Sequence, residues 1–343
     1  MNLMRVLVFI SLCLFLTNCN HVSETPRHQD PEVIHTSGKS TITLLKDTLV
    51  NCEPYIEGDQ RCFAYYLPPQ GAQTAILFFD PHGDGAYPLR LYKELAKEYG
   101  VLLLGANDSK NEQPFELSVK AAIRLIEKTQ KMGIEEKDIT LCGFSGGAKV
   151  ALYSANNFPN IERVIYCGAS IPLDYRSNIS LLGFAGKLDL NYTDLVQFEW
   201  SLQQQNATHY FIEWEGDHRF PDADVFRIGF DFATGGIPNE TGHEITISKK
   251  EVEEEQRQKQ YYYEALLAQD FKWWQREIVN LEKDSLKAEN KRLLSFISLA
   301  CYSVGNQAFR ENNKALVKKI IPIYRRVDAK STGPGEFEER LNL

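Results

Sequence analysis

The sequence predicts an α/β fold, a mainly parallel sheet with helices on both faces, followed by a smaller all-α domain at the carboxyl end. Three observations lead there. From Thr48 to Phe232, short β-rich apolar runs bounded by Gly, Asp or Pro alternate with stretches of helical periodicity. Around Glu244 the character changes, and residues 250–327 are rich in Glu, Lys, Gln and Leu without strand alternation. The 343 residues are 43% hydrophobic and 24% charged, the balance of a folded chain long enough for one large domain and a smaller one.

Taken in order, the apolar runs justify each strand. Two strand-like runs flank "EPYIEGDQR", and Cys52 and Cys62 at its ends can bridge a hairpin in an oxidising compartment. "CFAYYLP" leads to "TAILFFD", then a helix over 89–99; "GVLLLGAND" precedes a helix over 114–132 with apolar positions at Leu117, Ala121, Leu125 and Ile126. "DITLCGF" enters a Gly-rich turn and "GGAKVALYSANNF" continues as a helix. "RVIYCGAS", "SLLGFAG", a helix over 194–204 and "THYFIEW" complete the pattern. Continuous apolar runs are what strands covered on both faces require, and such sheets place active residues at the carboxyl ends of their strands. Cys142, Cys167 and Cys301 lie in apolar contexts as small core residues.

The amino end carries one cation, Arg5, and then an apolar stretch from Val6 to Leu16, short for a membrane span and suited to a signal peptide. The tetrad Leu16-Thr17-Asn18-Cys19 resembles the lipobox of bacterial lipoproteins, which implies cleavage after residue 18, acylation of Cys19 and lipid anchoring in the bacterial cell envelope, periplasmic or surface-facing. Residues 19–45, polar with Pro26 and Pro31, then read as a tether, 46–243 as the α/β domain and 244–343 as the helical domain. Lys and Arg total 38 against 46 Asp and Glu, and the mature chain from Cys19 carries −9, which disfavours a nucleic-acid partner. No C-x-x-C pair or His cluster suggests a metal.

"LCGFSGGAKV" places Ser145 between a strand and a helix, with glycines at 143, 146 and 147 permitting the sharp turn that a nucleophile elbow needs. A serine nucleophile requires a base, and the base an orienting acid. Asp189 follows the strand "SLLGFAG" and His218 follows "THYFIEW", so the chain order is Ser, Asp, His, each at a strand end. Asp174 and Asp194 are alternative acids. His21, His28 and His35 lie in the tether, His82 precedes the serine, His209 sits within a strand and His243 is late and strandless. "LFFDPHGDG", residues 77–85, joins a strand to its helix where an oxyanion donor belongs; the backbone N–H groups of Gly83 and Asp84, with that of Gly146, are the candidate oxyanion hole.

On these residues the chain resembles the α/β-hydrolase superfamily over roughly 46–240. Within it, "DPHGDG", "GFSGGAKVAL" and "EGDHRFP" resemble polyhydroxybutyrate-depolymerase and feruloyl-esterase type enzymes, whose final His is often followed by an aromatic and Pro, here Phe220 and Pro221. The resemblance implies a serine esterase without cofactor or metal, with Ser145 as nucleophile, His218 as base and Asp189 as acid. Few residues separate "YCGASIP" from "SLLGFAG", so no large lid is expected, and an open site suits small acyl groups on larger, for example saccharide-linked, molecules. A peptidase would use the same triad; an envelope scaffold without chemistry, whose tail binds a protein partner, would keep the fold alone.

The tail contains no histidine and no Gly-rich anion site, so it reads as an accessory, and a chain ending near Gly242 is expected to keep activity on a small aryl ester. Residues 301–329 loosely resemble a tetratricopeptide hairpin, against which Pro322 counts. In "YYYEALLAQDFKWW", helical spacing puts Tyr263, Leu266, Leu267, Asp270, Phe271 and Trp274 on one buried side, with Trp273 able to reach a site rim.

Overall fold

In the computed structural model, which describes residues 44–56, 59–205, 208–237, 245–284 and 287–342, the apolar runs become strands and the amphipathic stretches helices. The strands are β1 (Leu49–Pro54), β2 (Cys62–Tyr66), β3 (Thr74–Phe79), β4 (Val101–Ala106), β5 (Ile139–Phe144), β6 (Arg163–Cys167), β7 (Ser180–Gly186) and β8 (Thr208–Trp214). Between them lie α1 (Ala86–Tyr99), α2 (Phe115–Lys131), α3 (Gly146–Asn157) and α4 (Tyr192–Leu202), and α5 (Ala223–Ala233) follows β8. Beyond it come α6 (Lys249–Ala268), α7 (Phe271–Lys283), α8 (Ala288–Arg310), α9 (Lys314–Val327) and α10 (Gly333–Asn342). The signal peptide, Cys19 and His243 lie outside the described residues. Among the described residues no helix is long and apolar enough to cross a membrane.

The strands run in the order β1-β2-β4-β3-β5-β6-β7-β8 in a mostly parallel eight-stranded sheet. β2 pairs antiparallel with β1 and β4. β3 lies parallel to β4, with Ile76 opposite Leu103, and to β5, with Phe79 opposite Gly143. β4 and β5 are buried at every position, as strands covered on both faces must be. A disulfide joins Cys52 on β1 to Cys62 on β2, with Cα atoms 5.2 Å apart.

The chain forms two compact units. The first comprises the described residues up to Ile165 with Asn178–Ser180 and Asp222–Ile237; the second comprises Tyr166–Ser177, Leu181–Pro221 and the described residues from 245 on. The α6 and α8 side chains bind the segment that leaves β7, so that segment packs with the tail.

In the first unit, Phe78 of β3 stacks on Tyr92 of α1, and Tyr92 on Phe226 of α5 with centroids 4.1 Å apart. In the second, Trp274 is fully buried beside Tyr262, whose hydroxyl donates to Glu277 at 2.8 Å. The aromatic stretch does not form one continuous helix. Asp270 caps α7 by accepting from Trp273 N–H at 2.8 Å, which restarts the helical register. The buried positions are therefore Tyr262, Ala265, Leu266 and Trp274, while Leu267 is exposed and Trp273 packs edge-on to Tyr261 and Trp274. Gly305 lies inside α8 with the Phe337 ring of α10 against it, where a Cβ would come within 2.1 Å of that ring. Pro322 sits within α9. Gly305 thus serves a close helix crossing.

Candidate active site

In the first unit, β5 ends at Phe144 and α3 begins at Gly146, leaving Ser145 to make the turn alone. Its backbone sits at φ +51° and ψ −121°, a region costly for any residue with a Cβ. Close packing enforces the turn. A Cβ on Gly143 would lie 2.1 Å from Gly147 O, and one on Gly147 would lie 1.9 Å from Phe79 O at the end of β3. Gly146 opens α3, so its N–H is one of the first-turn donors that have no acceptor within the helix, at the positive end of the helix dipole. Asn111 Oδ1 packs against the same glycine, 1.7 Å from where a Cβ would be. A cavity of about 20 Å³, room for one water, is lined by Asp80, Pro81, Asn111 and Gly146 among others.

The loop after β3 is organised around Asp80, which is buried. Its Oδ1 accepts from His82 N–H at 2.8 Å and from Asp84 N–H at 3.4 Å, and its backbone O accepts from Gly83 N–H at 3.2 Å. Gly85 N–H donates to Asn107 Oδ1 at 2.9 Å. The N–H groups of Gly83 and Asp84, two of the candidate oxyanion donors, are thus turned onto Asp80: a buried carboxyl at a strand end gathers the donors around it. Burial holds the Asp80 carboxyl above its usual range, against the lowering effect of the His82 N–H.

In the second unit, the segments after β7 and β8 bring a carboxylate and an imidazole together. Asp189 is 1% exposed, and its Oδ1 stands 2.9 Å from His218 Nδ1 while accepting from Asn191 N–H at 2.8 Å. Its backbone turns on Gly186, with Asp189 N–H donating to Gly186 O at 2.9 Å. The neighbouring backbone is tied to the segment after β8: Lys187 N–H donates to Trp214 O and Leu188 N–H to Gly216 O. In the neutral tautomer that donates Nδ1–H to the carboxylate, Nε2 is the ring nitrogen without a hydrogen. Of the alternative acids, Asp194 accepts instead from Gln256 and Lys259, and Asp174 is exposed. A second His–carboxylate pair, His209 Nε2 at 3.3 Å from Glu199 Oε1, lies within this unit, and burial raises the Glu199 carboxyl.

Sequence reasoning brought Asp189 and His218 together and set Ser145 on its elbow. It missed a polar group from the tail. Lys259 of α6 donates to Leu190 O at 2.6 Å and to Thr193 Oγ1 at 2.8 Å. Arg292 of α8 donates to Lys187 O at 2.7 Å and grips Glu255 of α6 at 2.5–3.1 Å. Side chains of the tail thus bind the backbone on both sides of Asp189. Among the described residues no cluster of three His, Cys, Asp or Glu is arranged to hold a metal.

Residues 76–186, which run from β3 to the end of β7, match the α/β-hydrolase family model described as phospholipase/carboxylesterase. No curated protein matches the chain at a significant level. Among solved structures, an esterase from Pyrobaculum calidifontis is 12% identical over 55% of this chain and 85% of its own, with a TM-score of 0.44. A carboxylesterase from Mesorhizobium loti is 15% identical over 53% of this chain and 98% of its own, at 0.42. An S-formylglutathione hydrolase from Staphylococcus aureus is 13% identical over 55% and 96%, at 0.43.

Proposed function

We propose that this protein is a serine hydrolase of carboxylic esters, with Ser145 as nucleophile, His218 as general base and Asp189 as the acid that orients it. The observation that carries the reading is the Asp189–His218 pair at 2.9 Å, set after two strands and with the carboxylate nearly free of solvent. Two further observations support it: the strained serine at the strand-to-helix elbow, and the phospholipase/carboxylesterase match, which includes that elbow. In this reading His218 Nε2 takes the proton from Ser145 Oγ as the oxygen attacks the ester carbonyl carbon. Asp189 stabilises the imidazolium, and Gly146 N–H at the positive end of α3 offers a donor to the carbonyl oxygen as it becomes an oxyanion. His218 returns the proton to the leaving alkoxide, and water, activated in the same way, hydrolyses the acyl-serine. Short acyl groups on larger molecules such as saccharides are the substrate class, since only the short Gly168–Ile179 segment separates β6 from β7.

The test is labelling by a fluorophosphonate and hydrolysis of a small aryl ester. Wild type should do both; Ser145→Ala and His218→Ala should each lose more than about a thousandfold in turnover, and Ser145→Ala should lose labelling. Persistent labelling of folded Ser145→Ala removes the nucleophile assignment. A wild type inert in both assays favours a binding scaffold.

We also propose a lipid anchor at Cys19 in a bacterial envelope, a reading that rests on the apolar run and the Leu16–Cys19 tetrad. Cys19→Ala should leave the membrane fraction. Unchanged fractionation and a mature amino end without acyl mass would count against it.

A further inference from the structure

The segment that carries Asp189 is held from the tail by a buried ionic cluster. Glu255 is 1% exposed, Lys259 3% and Arg292 5%. Three ionisable side chains out of water are costly unless each is paired, and here each is. Arg292 meets Glu255 through Nε and Nη2, and Lys259 Nζ lies 3.5 Å from Glu255 Oε1. What the cluster does with its remaining donors is specific. Arg292 Nη1 donates to Lys187 O at 2.7 Å, two residues before Asp189. Lys259 Nζ donates to Leu190 O at 2.6 Å, one residue after it, and continues to Thr193 Oγ1 and Asp194 Oδ2. Gln256 Nε2 adds donors to Thr193 Oγ1 at 2.9 Å and Asp194 Oδ1 at 3.0 Å, fixing the first turn of α4. The Arg292 guanidinium also lies over the Tyr192 ring, 4.9 Å from its centroid.

The carbonyls of residues 187 and 190 bracket the aspartate, and both are held by cations in a nearly dry environment, where charge-assisted hydrogen bonds are strong and resist displacement by water. The stretch between them is short, so those two anchors act on the position of the Asp189 carboxylate alongside Asn191 N–H and the backbone bonds to Gly186, Trp214 and Gly216. We propose that Lys259 and Arg292 are positioning residues for Asp189: the helical tail holds the acid of the triad in register with His218. This rests on the reading of Asp189 and His218 as acid and base. It makes a tail that touches no reacting atom a determinant of turnover rather than of substrate affinity.

The test is a double-mutant cycle in the full-length protein, read on a small aryl ester. Lys259→Met keeps most of the stem volume and removes the donors; Arg292→Lys keeps a cation on Glu255 but shortens the reach to Lys187 O. Each should lower kcat about ten- to hundredfold, as displacements of about 1 Å do, with KM within about twofold of wild type. Lys259→Arg, which restores a donor, should recover part of the loss. The deciding readout comes from repeating each substitution in Asp189→Asn. If the tail acts through the aspartate, the second substitution should cost less than about twofold there. An equal loss in both backgrounds means the cluster only supports the fold, and a wild-type kcat in either folded variant overturns the proposal outright. Should Lys259→Met fail to fold, Arg292→Lys decides by the same two criteria. A wild type that neither labels with fluorophosphonate nor cleaves the ester fails the underlying hydrolase reading instead, a result separate from any of these.

Discussion

At Ser145 the chain accepts strain in a half-buried turn. A non-glycine residue at φ +51° and ψ −121° costs about 1–3 kcal/mol, and the packing of Gly143 on Gly147 and of Gly147 on Phe79 O holds it there. Glycine at 145 removes that strain, while its larger freedom in the unfolded chain takes back about 0.5–1 kcal/mol. Ser145→Gly should therefore melt about 2 °C above wild type, whereas Ser145→Ala, which keeps its Cβ, should not. Thermal melts of the two variants side by side check this, and equal melting temperatures would show that the elbow is unstrained. The serine, the aspartate and the histidine were all legible as residues, because each stands just after an apolar run at a point where strand chemistry stops. The hydrogen bonds that the Gly83 and Asp84 N–H groups make to Asp80 were not, since composition shows that a Gly-rich loop is pliant but not which acceptor its N–H groups meet.

The strands and most helices were legible as elements. Periodicity is local, and "TAILFFD" or "DITLCGF" can hardly be anything but covered strands once flanked by turns. The aromatic stretch of the tail misled because one capping residue, Asp270, breaks a pattern that otherwise reads as a single helix. The charged helix α6 misled in another way. Glu255 and Lys259 fall in helical phase with Val252, Tyr262 and Leu266, but their charge and their exposed neighbours read as a solvent face. Their burial alters what the tail is expected to do. A chain lacking residues 245–343 loses the donors to Lys187 O and Leu190 O and exposes Tyr192, which is 2% exposed with the tail in place. Such a truncation should be poorly soluble or, if soluble, lower in turnover on a small aryl ester by at least about a hundredfold. Steady-state kinetics on the purified fragment measure this. Full activity would restore the accessory reading of the tail.

At the scale of the whole molecule, the sequence alone determined the class of fold, the succession of its elements, the candidate residues of the site and the change of character near residue 244. All of these follow from near neighbours along the chain: runs of apolar side chains, turn residues between them, and the chemistry of single side chains at their ends. The tertiary structure alone decided the strand order, in which β4 lies between β2 and β3, and the division of the chain into units. It alone decided the 2.9 Å approach of His218 to Asp189 and the capture of the Asp189 segment by α6 and α8. These depend on pairing between segments tens of residues apart, where the desolvation of each charge and the fit of each side chain are set by partners that no local pattern names.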